Sequence, residues 1–144
     1  MVYAGFMFDQ CLYFNTTALA RVLEREWTKA FKPFELTPSQ GFMLRAIAEK
    51  PGLLQSELAS ALAISRPTAT RTLDGLQKLG LIERWSTERD GRESAIHPTP
   101  LAQSMKDGLN AASAEVTKRL KRKLGSGHFE ETVSRVKGIR ASLD

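Results

Sequence analysis

The sequence predicts a mostly α-helical protein with a small β-wing, in which a winged helix-turn-helix is flanked by long N- and C-terminal helices. Three observations predict this fold class. Two helical stretches meet at a tight turn at residues 63–64, two short β-prone stretches follow around a charged turn, and long amphipathic stretches lie at both ends of the chain. The order helix, turn, helix, hairpin is that of a winged helix-turn-helix. We expect a single domain over residues 1–144, with the winged core at 36–98.

Both terminal stretches have wider apolar faces than one small domain usually buries. Residues 8–31 are predicted as one long helix, and another begins at Thr99-Pro100 and ends at residues 125–127, before a last helix. Because an amphipathic helix must bury its apolar face, we expect residues 8–31 and 100–143 to be the dimerisation helices of a homodimer. The apolar residues that recur at helical spacing are Leu12, Leu19, Leu23, Trp27 and Phe31 in the first helix, Leu101, Met105, Leu109, Ala112, Val116, Leu120 and Leu124 in the second, and Phe129, Val133, Val136 and Leu143 in the third.

Capping residues and glycines mark the boundaries of the predicted core helices. Thr37 caps a helix, with Gln40 in the position of a capping-box partner. Residues 55–62 form a short helix, and Ser65 caps the next one, which ends at Gly80. The apolar residues expected to face inward are Phe42, Met43, Ala46 and Ile47 in the first of these helices, Leu58, Ala59 and Leu62 in the second, and Ala69, Leu73 and Leu76 in the third.

A β-hairpin is predicted after the third core helix. Residues 81–85 and 94–97 have strand character, and Asp-Gly at residues 90–91 supplies the turn between them. Pro98 has no amide donor, which indicates that the second strand ends before it. Residues 53–54 are expected to form a very short additional strand.

The helix that begins at Ser65 has the features of a DNA-reading helix. When Leu73 is set inward, a turn of about 100° per residue points Thr68 and Arg71 outward. A helix fits the major groove, its N-terminus favours phosphate, arginine bonds guanine edges and threonine contacts thymine. A solvated face that happens to carry threonine and arginine is the alternative interpretation. The expected DNA contacts of this helix are Ser65, Arg66, Pro67, Thr68, Thr70, Arg71 and Thr72.

The hairpin turn favours the DNA-binding interpretation, because it also carries arginines at its tip. Arg89 and Arg92 lie in this turn. A narrow minor groove concentrates negative potential and attracts arginine. We therefore expect the turn arginines to bind an adjacent minor groove or its phosphates.

The composition fits a DNA-binding protein without a cofactor. The 144 residues are 42% hydrophobic, which allows a packed core, and the net charge of +5 suits a polyanion. Cys11 is the only cysteine, so no internal disulfide forms and a reducing cytoplasm is expected. Neither a signal peptide nor a membrane span is expected. His97 and His128 are far apart in sequence, so no metal site is expected.

The stretch 53-LLQSELASALAISRPTATRTLDGLQKLGLIERWSTERDGRESAIHPTP-100 resembles the MarR family of bacterial transcription regulators. The resemblance rests on the run from SRPTATRT to GLIER, on Asp90-Gly91-Arg92, and on Thr99 at the start of a long fifth helix. It implies a homodimer that binds a palindromic operator in double-stranded DNA, usually as a repressor. In the family the wing motif Asp-x-Arg contributes an arginine to the minor groove, and Asp90 and Arg92 match its positions, with Arg89 as an additional candidate.

Two features depart from the family pattern. Glu93 follows Arg92 where an uncharged or basic residue is common, and an acid there is expected to weaken contacts with the DNA backbone slightly. His97-Pro98 stands where an apolar strand end is more usual.

The resemblance also implies two ways of releasing DNA. One is a small, often aromatic, acid or phenol bound between the dimer helices and the winged domain. The other is oxidation of a cysteine near the start of the first helix, and Cys11 with Tyr13 resembles the organic-hydroperoxide-sensing branch. A thiolate near a helix N-terminus oxidises readily to sulfenic acid. That branch carries further tyrosines later in the helix, which this chain lacks, and a buried structural cysteine is the alternative interpretation.

Other functional classes receive less support from the sequence. An enzyme is not expected, because Cys11 has no recognisable histidine partner and no phosphate loop or nucleophile motif occurs. A Cys11-dependent peroxide-reactive enzyme and an interaction module without DNA binding remain the alternatives. Arg71 and Arg92 are both present, which disfavours the interaction module. The basic run at residues 118–123 is interpreted as a solvated helix face.

Overall fold

The computed structural model describes residues 7–87 and 93–144, and it confirms the predicted fold class. A mostly helical chain carries a small antiparallel sheet of three strands in the order β1-β3-β2. The elements in chain order are α1 (Leu12–Phe31), a 3-10 turn (Lys32–Phe34), α2 (Pro38–Glu49), β1 (Leu53–Leu54), α3 (Gln55–Ala61), α4 (Arg66–Lys78), β2 (Ile82–Ser86), β3 (Ser94–Pro98), α5 (Pro100–Leu124) and α6 (Ser126–Leu143).

The predicted caps define where three helices begin. The Thr37 hydroxyl accepts from the amide of Gln40 at 3.2 Å, and the Gln40 side chain accepts from the Thr37 amide at 3.0 Å, which closes a capping box. Ser65 Oγ accepts from the amide of Thr68 at 3.2 Å. Thr99 Oγ1 accepts from the amide of Ala102 at 3.3 Å. These bonds satisfy amides that a helix leaves without backbone partners.

Two residues in the left-handed region shape the backbone before and after α4. Ala63 has φ 55°, which turns the backbone sharply between α3 and α4. The amide of Ile64 then donates to the carbonyl of Ala59 at 3.0 Å, so the turn is closed by a backbone bond. Gly80 has φ 73° after α4, where glycine adopts the left-handed region without steric cost.

The prediction that β3 ends before Pro98 is wrong. Pro98 is the last residue of β3 and pairs with Ile82 of β2. The carbonyl of Ile96 accepts from Gly52 beside β1, so the nitrogen of Pro98, two residues on, also faces the β1 side. β1 pairs with β3 only at Ala95 and Ile96. No described strand is therefore paired with β3 on that side of Pro98, so its lack of an amide donor breaks no hydrogen bond of the sheet.

The core lies between α2, α4, α5 and the sheet, and its residues come mostly from the predicted stripes. Phe31 at the end of α1 packs against Gly41 of α2, where a Cβ would come within 2.3 Å of the ring. The largest fully buried side chains are those of Phe31, Met43, Leu44, Ile47, Leu58, Leu73, Leu76, Ile96, Leu109 and Val116.

Phe42 was expected to face inward but is exposed, and Leu101 is exposed as well, because each lies one position away from the buried face of its helix. Phe42 is 39% exposed, while its neighbours Met43 and Leu44 are buried. Leu101 is 56% exposed, and Ala102 is buried in its place. Apolar residues at intervals of three or four occur on two adjacent faces of each helix. Only packing against the rest of the chain determines which of the two faces is buried.

None of the described helices is long and apolar enough to cross a bilayer.

The terminal helices carry exposed apolar residues. Gly125 has φ 87°, and α6 begins directly after it at Ser126, so Gly127 lies inside α6 rather than in the predicted break. The large exposed hydrophobic residues of α1, α5 and α6 are Leu12, Tyr13, Leu19, Val22, Leu101, Leu124, Val133, Val136, Ile139 and Leu143.

Candidate nucleic-acid interface

The N-terminal turn of α4 holds a chain of three polar side chains. Ser65 Oγ donates to Thr68 Oγ1 at 2.9 Å, and Arg71 Nη2 donates to the same oxygen at 3.3 Å. Arg71 is exposed and Thr68 is half-buried. The bonds draw the Arg71 guanidinium toward the end of the helix where backbone amides add partial positive charge. Ser65, Thr68 and Arg71, which the sequence analysis proposed as DNA contacts, therefore lie together.

Among the other proposed contacts on α4, the two threonines already make hydrogen bonds within the chain, whereas Arg66 and Pro67 are exposed. Thr70 Oγ1 donates to the carbonyl of Arg66 at 3.0 Å and accepts from Gln55 Nε2 at 2.7 Å. Thr72 Oγ1 donates to the carbonyl of Thr68 at 3.0 Å. Each threonine hydroxyl proton is thus engaged with the backbone of α4. Arg66 and Pro67 are exposed at its first turn.

The proposed wing contacts Arg89, Asp90 and Arg92 lie outside the described residues. The base of the wing is described, and Thr87 Oγ1 donates to the carbonyl of Glu93 across it at 3.3 Å. These two residues mark the nearest described positions on either side of the tip.

Glu93 has a structural role that sequence reasoning missed. Its Oε1 accepts from the amide of Ser56 in the first turn of α3 at 3.1 Å. Hydrogen bonding to the Ser56 side chain, and more weakly to its backbone amide, lowers the pKa of Glu93 below the usual glutamate value against the opposing effect of desolvation, and the charge of Arg66 adds to the lowering. Glu93, which departs from the family pattern next to Arg92, thereby joins the base of the wing to α3 of the helix-turn-helix. No local pattern signals it, since 37 residues separate the partners.

Arg84 is a second residue that sequence reasoning missed. It lies on β2, and its Nη2 donates to Asp74 Oδ1 of α4 at 2.8 Å, while its Nη1 donates to Gln77. Asp74 would otherwise present an uncompensated negative charge on the recognition helix. The ion pair offsets that charge and joins the wing to α4.

The outer face of the sheet carries an aromatic stack. Trp85 is 53% exposed. Its ring lies 3.6 Å from that of His97, and its Nε1 donates to Glu83 at 3.1 Å. Among the described residues, no three histidine, cysteine, aspartate or glutamate side chains are grouped so as to hold a metal ion.

Cys11 is exposed, so the interpretation of a cysteine buried within its own chain does not hold. It is the N-cap of α1, and its Sγ accepts from the amide of Phe14 at 3.4 Å. Tyr13 is 78% exposed in the first turn of the same helix. The thiol therefore stands at the positive end of a helix and in contact with solvent.

An open groove runs between α1 and the helix-turn-helix. One part, of about 390 Å³, lies along α1, and an adjoining part, of about 270 Å³, reaches Thr68 at the start of α4. Pro38 and Phe42 line both parts. The remaining lining residues are Ala20, Leu23, Glu24 and Trp27 in the first part, and Ser39, Leu62 and Ile64 in the second.

The basic run late in α5 pairs with acids of its own chain. Lys118 lies 3.9 Å from Glu115, and Lys121 lies 3.7 Å from Glu130. Arg119 reaches Glu26 of α1 at 3.2 Å, and this hydrogen bond lowers the pKa of Glu26. The pairing agrees with a solvated helix face.

Comparisons with known proteins find a family model and a sequence relative that match part of the chain. The family model described as MarR family matches residues 34–93. An uncharacterised HTH-type transcriptional regulator, YybA of Bacillus subtilis strain 168, is 32% identical over 81 residues, which are 56% of this chain and 54% of that relative. This chain thus spans about half the length of that relative.

Solved structures extend the similarity to the terminal helices. MepR of S. aureus in complex with DNA aligns with a TM-score of 0.82 at 21% identity, over 91% of this chain and 96% of that one. A MarR protein from Peptoclostridium difficile aligns with a TM-score of 0.85 at 17% identity, over 99% of this chain and 92% of that one. Residues 34–93 are therefore similar to the MarR family model, and the chain around them has the fold of these solved structures.

Proposed function

We propose that the protein is a sequence-specific DNA-binding transcription regulator of the MarR type, acting as a homodimeric repressor on a palindromic operator. The observation that carries the proposal is the N-terminal half of α4, where Arg66 and Arg71 are exposed near the capped backbone amides. A helix presented in this way enters the major groove with its N-terminal residues at base edges and phosphates. The DNA complex of MepR, which shares the fold, supports the same use.

The site residues divide into two roles in this proposal. Thr68 and Arg71 read base edges, while Ser65, Arg66, Pro67, Thr70 and Thr72 contact phosphates. Thr70 and Thr72 must rotate to donate to DNA, because their hydroxyls already donate to α4 carbonyls. Arg89 and Arg92 of the wing bind the minor groove, with Asp90 orienting nearby basic groups.

The homodimer is supported by the apolar faces of the terminal helices. Val133, Val136 and Ile139 are 51%, 47% and 42% exposed along α6, and Leu19 and Val22 are similarly exposed on α1. A second copy that covers these faces buries apolar area and relates the two α4 helices by a two-fold axis. A palindromic operator matches that symmetry, with one half-site for each recognition helix.

Release from DNA follows from one of two effectors. A small aromatic molecule would occupy the groove lined by Trp27 and Phe42, between α1 and the helix-turn-helix. An oxidant would instead convert the exposed Cys11 thiolate to sulfenic acid, which a small thiol or the partner's Cys11 then resolves as a disulfide. Both effectors act in the cytoplasm, where we expect the protein to work.

Fluorescence anisotropy on the DNA upstream of the gene tests the proposal. Reduced protein is titrated with excess nonspecific competitor, then treated with organic hydroperoxide, with Cys11→Ser alongside. Competitor-resistant binding supports the regulator, and its loss on oxidation only when Cys11 is present identifies the oxidant as effector. Binding indifferent to peroxide assigns release to the groove. No specific binding, or repeated turnover of hydroperoxide, contradicts the regulator and favours the interaction module or the Cys11-dependent enzyme.

A further inference from the structure

A polar seam joins α2, which belongs to the winged unit, to α5, which belongs to the terminal helices. Four α5 residues at spacings of three, four and three share one helix face and lie along the seam. Gln103 Nε2 donates to the carbonyl of Ala48 at 3.4 Å, Lys106 Nζ lies 3.0 Å from Glu49 Oε2, and Asn110 and Ser113 both accept from Arg45.

Arg45 makes two hydrogen bonds of defined geometry within this polar seam. Its Nε donates to Asn110 Oδ1 at 2.7 Å and its Nη1 donates to Ser113 Oγ at 3.1 Å. The guanidinium lies 5.0 Å from the centre of the Phe42 ring. Arg45 is half-buried, its pKa is lowered by desolvation, and among the described residues no carboxylate pairs with it. Hydrogen bonds from a charged guanidinium are strong and directional, so the two acceptors fix the orientation of the Arg45 side chain.

The same seam reaches α1. Trp27 Nε1 donates to Ser113 Oγ at 3.0 Å, so side chains of α1, α2 and α5 meet at one hydroxyl. Apolar packing along α2 is non-directional and tolerates small rotations of one helix on another. A planar guanidinium with two acceptors in fixed positions does not tolerate them.

We propose that Arg45 is a positioning residue that fixes the angle of the winged unit against α1 and α5, and so sets the half-site spacing that the dimer accepts. The inference rests on the proposed function, since it requires a dimer on two half-sites. The two recognition helices of such a dimer enter major grooves about 34–36 Å apart. A change of angle at α2 therefore moves each recognition helix relative to its groove, although Arg45 itself touches no DNA.

Binding to a series of operators with altered spacing tests the inference. Duplexes enriched from a random library by the wild-type protein supply the half-sites, which are then placed one or two base pairs closer or farther apart. Wild-type protein is expected to prefer its selected spacing by roughly tenfold, comparable to the cost of one mismatched base pair. Arg45→Met and Ser113→Ala are expected to reduce that preference to within about twofold, with affinity for nonspecific DNA unchanged.

Two further variants separate geometry from charge. Arg45→Lys keeps the charge but cannot reach both acceptors, and we expect it to behave as Arg45→Met does. Arg122→Met, on an exposed position of α5, removes the same charge and is expected to keep the wild-type spacing preference. If Arg45→Met weakens binding equally at every spacing, or if Arg45→Lys restores the preference, the positioning role is wrong. If the wild-type protein enriches no palindrome, the proposed function fails instead.

A distance measurement keeps the inference testable if binding by the variants is weak. Spin labels at Lys78→Cys, in a Cys11→Ser background, report the distance between the two α4 helices of a dimer by double electron–electron resonance. We expect one narrow distance distribution with Arg45 and a broadened or displaced one with Arg45→Met. Identical distributions would overturn the inference, whereas the absence of any dipolar signal would contradict the dimer.

Discussion

At the residue scale, the hydroxyl of Thr68 connects the three α4 side chains that are proposed to contact DNA. It accepts from Ser65 Oγ and from Arg71 Nη2, so the capping residue, the threonine and the arginine share one oxygen. This arrangement costs the threonine some freedom to contact DNA, but it restricts the rotamers of Arg71 before binding. A long side chain that is partly ordered in the free protein loses less entropy when it bonds a base.

The first prediction concerns Arg71. Arg71→Ala is expected to cost about 1–3 kcal/mol on the preferred operator, because a bidentate contact to guanine is lost. On nonspecific DNA the loss is expected to be much smaller, so the sequence preference relaxes. Anisotropy titrations of both duplexes at one salt concentration measure the two losses. An equal loss on both would mean that Arg71 contacts phosphate and reads no base.

The second prediction concerns Arg92 of the wing. Arg92→Ala is expected to weaken operator binding and to reduce the slope of log affinity against log salt by about one unit, because one phosphate-region charge is removed. A titration series over several salt concentrations gives the slope. An unchanged slope with unchanged affinity would remove Arg92 from the interface.

At the element scale, the winged unit is held together by contacts between elements rather than within them. Glu93 at the base of the wing accepts from α3, Arg84 of β2 pairs with Asp74 of α4, and Gln55 of α3 donates to Thr70 of α4. Each contact joins two of the elements that must meet DNA together. The helix-turn-helix and the wing are thereby oriented as one unit.

The third prediction concerns the cap of α4. Ser65→Ala is expected to lower the free energy of unfolding by about 1 kcal/mol, because the amide of Thr68 loses its acceptor. Urea denaturation followed by circular dichroism measures the change. Ser65→Asp supplies an acceptor again and is expected to restore stability, while Ser142→Ala near the end of α6 is expected to have little effect. Equal stability of Ser65→Ala and wild type would show that the cap contributes nothing.

The fourth prediction is a pH dependence at Glu93. The folded-state pKa of this carboxyl is lowered by the Ser56 hydrogen bond, so its contribution to stability is present above the unfolded value and is lost as the pH falls through the folded value. Wild type is therefore expected to be more stable than Glu93→Gln at neutral pH by an amount that shrinks below a pH of about 4.3. The lowered pKa values of Glu26 and Glu49 affect both proteins alike. A stability difference that does not vary with pH would contradict the assignment.

At the scale of the whole molecule, the chain divides into a winged unit and a helical base whose apolar surface is exposed. α1 and α5 pack on each other and on α2, while α6 contacts α5. Several apolar side chains of α6, among them Val133, Val136 and Ile139, stay exposed when only the described residues of one chain are considered. A single copy is therefore incomplete as a packed structure, which is why the dimer is part of the proposed function.

The fifth prediction concerns that surface. The double variant Val133→Glu with Val136→Glu is expected to be folded but monomeric, because both side chains are already exposed in one chain and only the interface is lost. Sedimentation velocity is expected to give twice the 16.0 kDa mass of one chain for wild type and a single-chain mass for the variant. Lys137→Glu on the same helix is the control for added negative charge. A dimeric double variant would place the interface elsewhere.

The sequence predicted the local parts of this structure and missed the long-range ones. Each of the helix caps Thr37, Ser65 and Thr99 accepts a hydrogen bond from the amide three residues later. The sequence next to each cap is therefore enough to predict where the helix begins. Phe42 was placed on the inward face although it is exposed, because helical spacing alone does not choose between adjacent faces.

The residues that sequence reasoning missed bond partners on other helices or strands. Arg45 bonds Asn110 and Ser113, which lie 65 and 68 residues away, and no local pattern distinguishes it from a solvated arginine. Glu93 was predicted only to weaken DNA contacts, whereas its carboxylate is engaged by α3. Pairings of this kind depend on how elements pack, which the spacing of residues along one element does not encode.

Selection from a random duplex library tests the central claim most directly. Reduced protein and Arg71→Ala are each put through rounds of binding and sequencing in the presence of nonspecific competitor. We predict that the wild-type protein enriches a palindrome with half-sites about one helical turn apart, and that Arg71→Ala loses preference at specific positions within each half-site while keeping the spacing. Enrichment of no common sequence by the wild-type protein would contradict a sequence-specific regulator that reads DNA through the first turn of α4.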